Sequence, residues 1–296
     1  MKLIWQSKLV LLLVLPFASA NVVLMAHWWA VNEWPVAVWT LGLSLVLGLV
    51  VLKLRAATPG GAFAGAAITA SLMFSTAIFT PNGAFAYLPW HTALMPMVAV
   101  FVLANIATRL DRKQKERLGT AEPLHGRTAA QVAANLGVAA IACSEFAQSW
   151  MLDRGWIHAP VSILFAVGLA ALAEAAADTV SSEVGQVLGG EPRMITTLRQ
   201  VEPGTDGALS LAGTSAGVAA ALIVAEIGVW ALGGSSRMFW ISSAGGVFGL
   251  FFDSLLGATL ERRGWLNNDA VNFLSTASAA AFALGLLVVW PHPAVG

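Results

Sequence analysis

The sequence predicts an all-α protein, a polytopic membrane helix bundle of about nine transmembrane helices with a cytoplasmic N-terminus. Three observations carry that prediction. Of 296 residues, 57% are hydrophobic and 11% charged, with a mean hydropathy of +0.74. A soluble domain carries roughly 25% charged residues, so the solvent for most of this surface is lipid. Apolar windows of the length needed to cross the hydrocarbon core, about 20 residues, fall near 9–28, 36–52, 62–80, 91–109, 129–150, 160–177, 208–232, 239–260 and 270–290. With these windows alternating in direction, 14 of the 16 lysines and arginines lie on the cytoplasmic side and only Arg154 and Arg237 on the outer side, as the positive-inside rule requires.

The first window needs a decision. Lys2 and Lys8, the apolar run and Ala18-Ser19-Ala20 resemble a cleavable signal peptide. The apolar character continues to Trp28 and Trp29, however, long enough to span and ending in an interfacial tryptophan belt. The expectation is an uncleaved first span in a bacterial inner-membrane protein, with residues 1–296 forming one integral membrane domain. The zero net charge excludes a global basic field for nucleic acid. The single cysteine, Cys143, excludes a disulfide framework, and no two of the five histidines have ligand-pair spacing. No motif reports on oligomeric state.

Two segments, about 110–128 and 178–207, read as long polar cytoplasmic loops, whereas the outer loops are short and nearly uncharged. The polar residues inside the spans cluster accordingly. Arg127, Gln131 and Asn135 follow at i, i+4 and share a helix face. Glu174, Asp178 and Ser182 do the same, with Glu183 beside them. The eighth window carries Ser242, Gly246, Gly249, Asp253 and Gly257, the seventh opens with Asp206 and Ser210, and the ninth opens with Asn272 and Thr276. Five polar faces at one depth predict a shared hydrated cavity open to the cytoplasm. Ionisable groups at such depth are expensive, and each is a functional hypothesis. The stripes Gly61-x-x-x-Gly65, Gly213-x-x-x-Gly217 and Gly245-x-x-x-Gly249 read as helix-packing surfaces.

Pro203-Gly204-Thr205-Asp206-Gly207 is a turn leading into the seventh span, where free backbone N–H groups suit a phosphate. No P-loop motif is present. Acids, cations and glycine-rich backbone at a membrane surface suit Mg²⁺-dependent phosphoryl transfer, since Mg²⁺ is held by one or two carboxylates plus substrate phosphates. The same inventory fits an ion-coupled transporter or lipid flippase, and charge reasoning alone leaves both open. Polar stripes are scarce in the outer halves, which ranks the transporter second.

Four motifs in order carry a resemblance. They are Arg127-Thr128-Ala129-Ala130-Gln131-Val132-Ala133-Ala134-Asn135-Leu136-Gly137, Ala176-Ala177-Asp178-Thr179-Val180-Ser181-Ser182-Glu183-Val184-Gly185, Pro203-Gly204-Thr205-Asp206-Gly207 and Phe252-Asp253-Ser254-Leu255-Leu256-Gly257-Ala258-Thr259. With Asn272, they resemble the integral membrane family that includes transmembrane protein nineteen and the phytyl-phosphate kinase of chloroplasts and cyanobacteria (domain of unknown function ninety-two). The likeness is collinear over about 60–285, which makes the spans at 9–28 and 36–52 additional. It implies transfer of a phosphoryl group from a nucleoside triphosphate such as CTP to an isoprenoid (phytyl- or polyprenyl-) monophosphate. Set on the matching positions, the charge argument gives Asp178, Glu183 and Asp253 the Mg²⁺, assisted by Asp206. Arg127, Lys113, Lys115 and Arg199 would grip phosphates, Gly204 and Gly207 would offer backbone N–H groups, and Gln131, Asn135 and Asn272 would orient oxygens. The expected partners are membrane lipid, the isoprenoid phosphate and the nucleotide.

Overall fold

The computed structural model describes residues 4–77, 87–120, 126–154 and 161–290. Among them are eleven α-helices and one short antiparallel ribbon: α1 (Ile4–Asn32), α2 (Trp34–Lys53), α3 (Pro59–Thr76), α4 (Leu94–Arg109), α5 (Arg112–Leu118), α6 (Ala129–Cys143), α7 (Glu145–Asp153), α8 (Val161–Leu188), β1 (Arg193–Met194), β2 (Ala208–Leu209), α9 (Leu211–Ala231), α10 (Ser236–Leu256) and α11 (Asn268–Val289). A π-turn, Gly257–Glu261, extends α10. The protein is an all-α polytopic membrane protein. Helices α1, α2, α8, α9, α10 with its π-turn, and α11 are each long and apolar enough to cross a bilayer. The bent pairs α4–α5 and α6–α7 bring the number to eight. α3 occupies most of window 62–80, whose residues 78–80 lie outside the described residues.

Two windows differ from their sequence reading at identifiable residues. The window 129–150 is broken at Ser144, whose backbone is extended and whose Oγ accepts from the Ala147 N–H at 3.2 Å, so α7 starts afresh at 54° to α6. The polar segment 110–128, expected to be a loop, contains α5. Asp111 enters the left-handed region (φ +34°) and caps the new helix through Gln114 N–H, turning the chain by 67°.

α8 is the centre of the bundle. In its membrane window 94% of the residues are buried, and it packs against α4, α6, α9, α10 and α11. Its alanine-rich sequence lets the neighbouring backbones approach. A Cβ on Gly246 would lie 2.8 Å from Ala173 Cβ, and one on Gly217 would lie 2.7 Å from the Ala177 carbonyl. The predicted stripes at 213/217 and 245/249 are thus packing surfaces, in which small residues replace the missing hydrophobic drive within lipid. In the third stripe only Gly61 is packed tightly; a Cβ on Gly65 would meet nothing nearer than Val132 Cγ1 at 3.8 Å. α1 is integrated as well. Ala18 is buried in mid-helix, and Val14 fills the notch at Gly137 of α6.

Helix ends gather at one pole. Gln6 of α1 donates to Trp265 O at 2.9 Å and accepts from Asn267 N–H at 2.8 Å, tying α1 to the start of α11. Arg127 N–H donates to Ala56 O and Thr58 N–H donates to Arg127 O, both at 3.0 Å, joining the α2–α3 link to the start of α6. Gln114 of α5 donates to Val187 O at the end of α8. This basic pole carries Arg55, Arg109, Arg112, Arg127, Arg262 and their neighbours. At the opposite pole His91 meets Ala231 O, and Arg237 donates to the carbonyls of Leu287 and Trp290.

Candidate functional site

Among the described residues, two separate cavities open at the basic pole, where the sequence suggested one. The smaller, about 130 Å³, is acidic and lies between α8, α10 and the 203–210 segment. On α8, Asp178 faces it, with Ser181 and Ser182 one turn and Gly185 two turns nearer the pole. Asp253 enters from α10 and is near enough to Asp178 for the two carboxylates to interact. Asp253 Oδ2 is buried and has no hydrogen-bond partner. The π-turn inserts an extra residue into the helical register, a device frequent at functional sites, and Glu261 completes the acidic lining.

The roof of this cavity is the turn Pro203–Gly207. The ribbon pairs Arg193 with Leu209 and Met194 with Ala208, which folds the segment back onto the pole. Gly204 (φ +84°) and Gly207 (φ +76°) occupy the left-handed region, and Gly207 lies so close to Ala258 that no Cβ fits between them. Asp206 sits at the solvent-facing rim. Partial burial pushes its carboxyl above the ordinary aspartate value, and the positive charge of Arg262 opposes that shift.

The second cavity, about 420 Å³, is mainly apolar and lies between α2, α3, α4 and α6. Its polar lining is concentrated at the pole, where Arg55, Arg109, Arg112 and Arg127 converge. Arg109 donates to Asn105 Oδ1 at 3.1 Å and to Leu54 O at 3.0 Å. Arg127 lines the apolar cavity, and its charge acts on Asp178 in the acidic one.

The predicted residues therefore divide. Asp178, Asp253, Asp206, Gly204 and Gly207 line the acidic cavity, and Arg127 and Asn135 the apolar one. Gln131 is occupied locally; its Oε1 accepts from Thr128 N–H at 2.7 Å, closing a capping box at the start of α6. Lys113 and Arg199 are exposed, and Asn272 lines neither cavity. Two assignments need correction. Lys115 does not reach toward a phosphate but is buried, with Nζ 2.6 Å from Glu183 and donating to the Ala107 and Thr108 carbonyls. Glu183 is accordingly committed to a lysine, and no group of three acids, histidines or cysteines able to hold a metal occurs among the described residues. What remains is a pair of facing carboxylates, Asp178 and Asp253, with one partnerless oxygen. That donor set suits a hard divalent cation whose remaining ligands are phosphate oxygens and water.

Sequence reasoning left Glu261 out of the site, although it continues the i, i+4 stripe of Asp253 and Gly257. Glu174 was noted in its stripe but given no role. It is 1% exposed, with Oε1 unpartnered, and is near enough to Asp178 and Ser275 to interact with both.

A polytopic helical bundle with paired buried acids and, at the same pole, an apolar cavity with a cationic mouth defines a class of membrane-embedded site proteins. Within that class, the chain belongs to the DUF92 family of integral membrane proteins, whose signature matches residues 42–280. It is 44% identical over 108 residues to an uncharacterized membrane protein of Methanocaldococcus jannaschii, a match covering 36% of this chain and 45% of that protein. It is 32% identical over 204 residues to an uncharacterized membrane protein of Synechocystis, covering 68% and 76%. To Protein VTE6, chloroplastic, of Arabidopsis thaliana it is 29% identical over 192 residues, covering 64% and 56%. The chain thus spans about half the length of the archaeal and plant relatives. No solved structure matches it.

Proposed function

We propose that the protein is a membrane-embedded isoprenoid monophosphate kinase. The observation that carries this reading is Arg127, which lines an apolar cavity with a cationic mouth and whose charge reaches Asp178 in an acidic cavity with paired carboxylates. A lipid monophosphate seated in the first presents its phosphate to the arginines. A nucleoside triphosphate seated in the second places its terminal phosphate on the far side of the same guanidinium. An oxygen of the lipid phosphate attacks the terminal phosphorus, the bond to the bridging oxygen breaks, and the nucleoside diphosphate leaves with that oxygen's negative charge. The attacking oxygen is already anionic, so positioning matters more than deprotonation.

Asp178 and Asp253 would hold Mg²⁺. When bound, the ion neutralises charge on the phosphates. Arg127 orients the two phosphates through a planar fork of donors, and the 203–207 turn covers the acidic cavity against water. The family resemblance, with the chloroplastic plant relative among the matches, supports the isoprenoid assignment.

Purified protein incubated with prenyl monophosphates, Mg²⁺ and each nucleoside triphosphate in turn should yield labelled lipid diphosphate. No diphosphate from any pairing overturns the reading. We place the basic pole in the cytoplasm on its lysine and arginine excess. Reporters fused after Gly119 and after Glu202 should both read cytoplasmic, and one after Gly234 external.

A further inference from the structure

We propose that the apolar cavity is a length gauge, which admits one isoprenoid tail from the bilayer between α2 and α4 and limits its length at Thr69 and Met97. The identity of the headgroup rests on the kinase reading; the selection of tail length by named residues is additional to it.

The cavity opens sideways. Among the described residues α2 packs chiefly on α1 and α3, α4 packs chiefly on α8 and α9 and only lightly on α3, and α2 and α4 share no substantial interface. The hydrogen bond from Arg109 to Leu54 O bridges them at the pole. Below it, the walls are lipid-like side chains of the two helices, including Leu47, Val51, Val100 and Phe101. The volume of about 420 Å³ lies within the roughly 300–1,000 Å³ of small-ligand sites. The cationic mouth above an apolar shaft complements a single-chain lipid anion.

Depth follows from helix geometry. Arg109 and Met97 both line the cavity, and twelve residues of helix separate them, about 18 Å at 1.5 Å per residue. At the inner end Met97 is buried, and Thr69 is buried with its hydroxyl bonded back to Gly65 O at 2.7 Å, so neither offers a free polar group. Midway stands Gly65. Unlike Gly61, it has ordinary space for a Cβ, 3.8 Å from Val132 Cγ1. A Cβ there meets no backbone, and Gly65 lines the cavity, so a side chain at this position is expected to take up space in the shaft.

The test is native mass spectrometry of the purified full-length protein with farnesyl, geranylgeranyl and longer polyprenyl monophosphates, comparing the parent with Gly65→Leu and Met97→Ala. Gly65→Leu should weaken binding of the longest accepted tail by about 10-fold or more, the scale of a methylene misfit in an apolar pocket, and spare the shortest. Met97→Ala should move the cut-off toward longer tails. Opposite shifts do not arise from misfolding. Unchanged cut-offs, shifts in the same direction, or a two-chain phospholipid that displaces every prenyl phosphate would each overturn the gauge. Shifted cut-offs without nucleotide turnover uphold the gauge and sink the kinase reading. Turnover with unmoved cut-offs does the reverse.

Discussion

Lys115 Nζ lies 2.6 Å from Glu183, with the two side chains 1% and 9% exposed, and this pair fastens α5 to α8 beneath the basic pole. The lysine also donates to the last carbonyls of α4, so a single ammonium ties together the bend after α4, the short helix α5 and the end of the central helix. A cation in a basic cluster that looks like a phosphate ligand is thus a structural fastener.

Its removal has a defined signature. Truncating one partner of a buried ion pair leaves an uncompensated charge and costs about 3–5 kcal/mol, whereas replacing both by apolar residues is often neutral or stabilising. Lys115→Met and Glu183→Gln should each lower thermal stability in detergent, and Lys115→Met with Glu183→Leu should recover most of the loss. A double variant as unstable as the worse single one would contradict this account.

The acid pair should behave differently. Asp178→Asn and Asp253→Asn keep the shape of each side chain and relieve the repulsion between facing carboxylates, so folded protein should be recovered normally. Lipid diphosphate formation should fall by about 10²–10³-fold, the scale of removing a group that meets transition-state charge. Glu183→Gln, by contrast, should lose stability before it loses turnover per folded molecule.

These contrasts reflect what a sequence can and cannot carry. The long apolar helices were legible because hydropathy is a property of windows about 20 residues long. The bends at Asp111 and Ser144 were not, because each depends on one side chain bonding a backbone N–H three residues on. That Asp178, Asp253, Asp206 and the turn at Gly204–Gly207 gather around one cavity was legible because buried acids and left-handed turn residues have few inexpensive explanations. Lys115 was misread because its sequence neighbours are solvated cations, and only the fold of α5 onto α8 buries it. The division into two cavities was invisible, since Arg127, Gln131 and Asn135 share a face whether that face meets acids or lipid.

The two turn glycines should differ in sensitivity. Both have positive φ, which costs a non-glycine residue roughly 1–2 kcal/mol. At Gly204 a Cβ would press on a side-chain methyl of Thr120, which can move; at Gly207 it would strike the backbone of Ala258. Gly207→Ala should therefore lift the roof from the acidic cavity and remove most transfer activity, while Gly204→Ala should retain most of it. Equal losses at the two positions would show that the docking of Gly207 on the π-turn does not matter.

The basic residues provide the sharpest separation of enzyme from transporter. Arg127 is half-buried, lines the apolar cavity and acts on Asp178. Its backbone holds the α2–α3 link, and alanine keeps those backbone bonds, so Arg127→Ala should fold. On the kinase reading, losing a guanidinium that would meet both phosphates should remove roughly 3–4 kcal/mol of transition-state stabilisation, about 10²–10³ in rate, by analogy with other preorganised donors. Arg127→Lys should restore little, because an ammonium lacks the planar fork. Lys113 and Arg199 are exposed, and each alanine substitution should change turnover by no more than about fivefold, the scale of a single screened surface charge. Initial rates with a prenyl monophosphate, measured at two ionic strengths, check the order: the exposed pair should weaken further in salt, and the Arg127 effect should persist. Equal, small effects at all three positions would reduce these cations to topological signals. Dissipation of a lipid or ion gradient in vesicles, with no nucleotide consumed, would transfer the acid pair to a transport cycle.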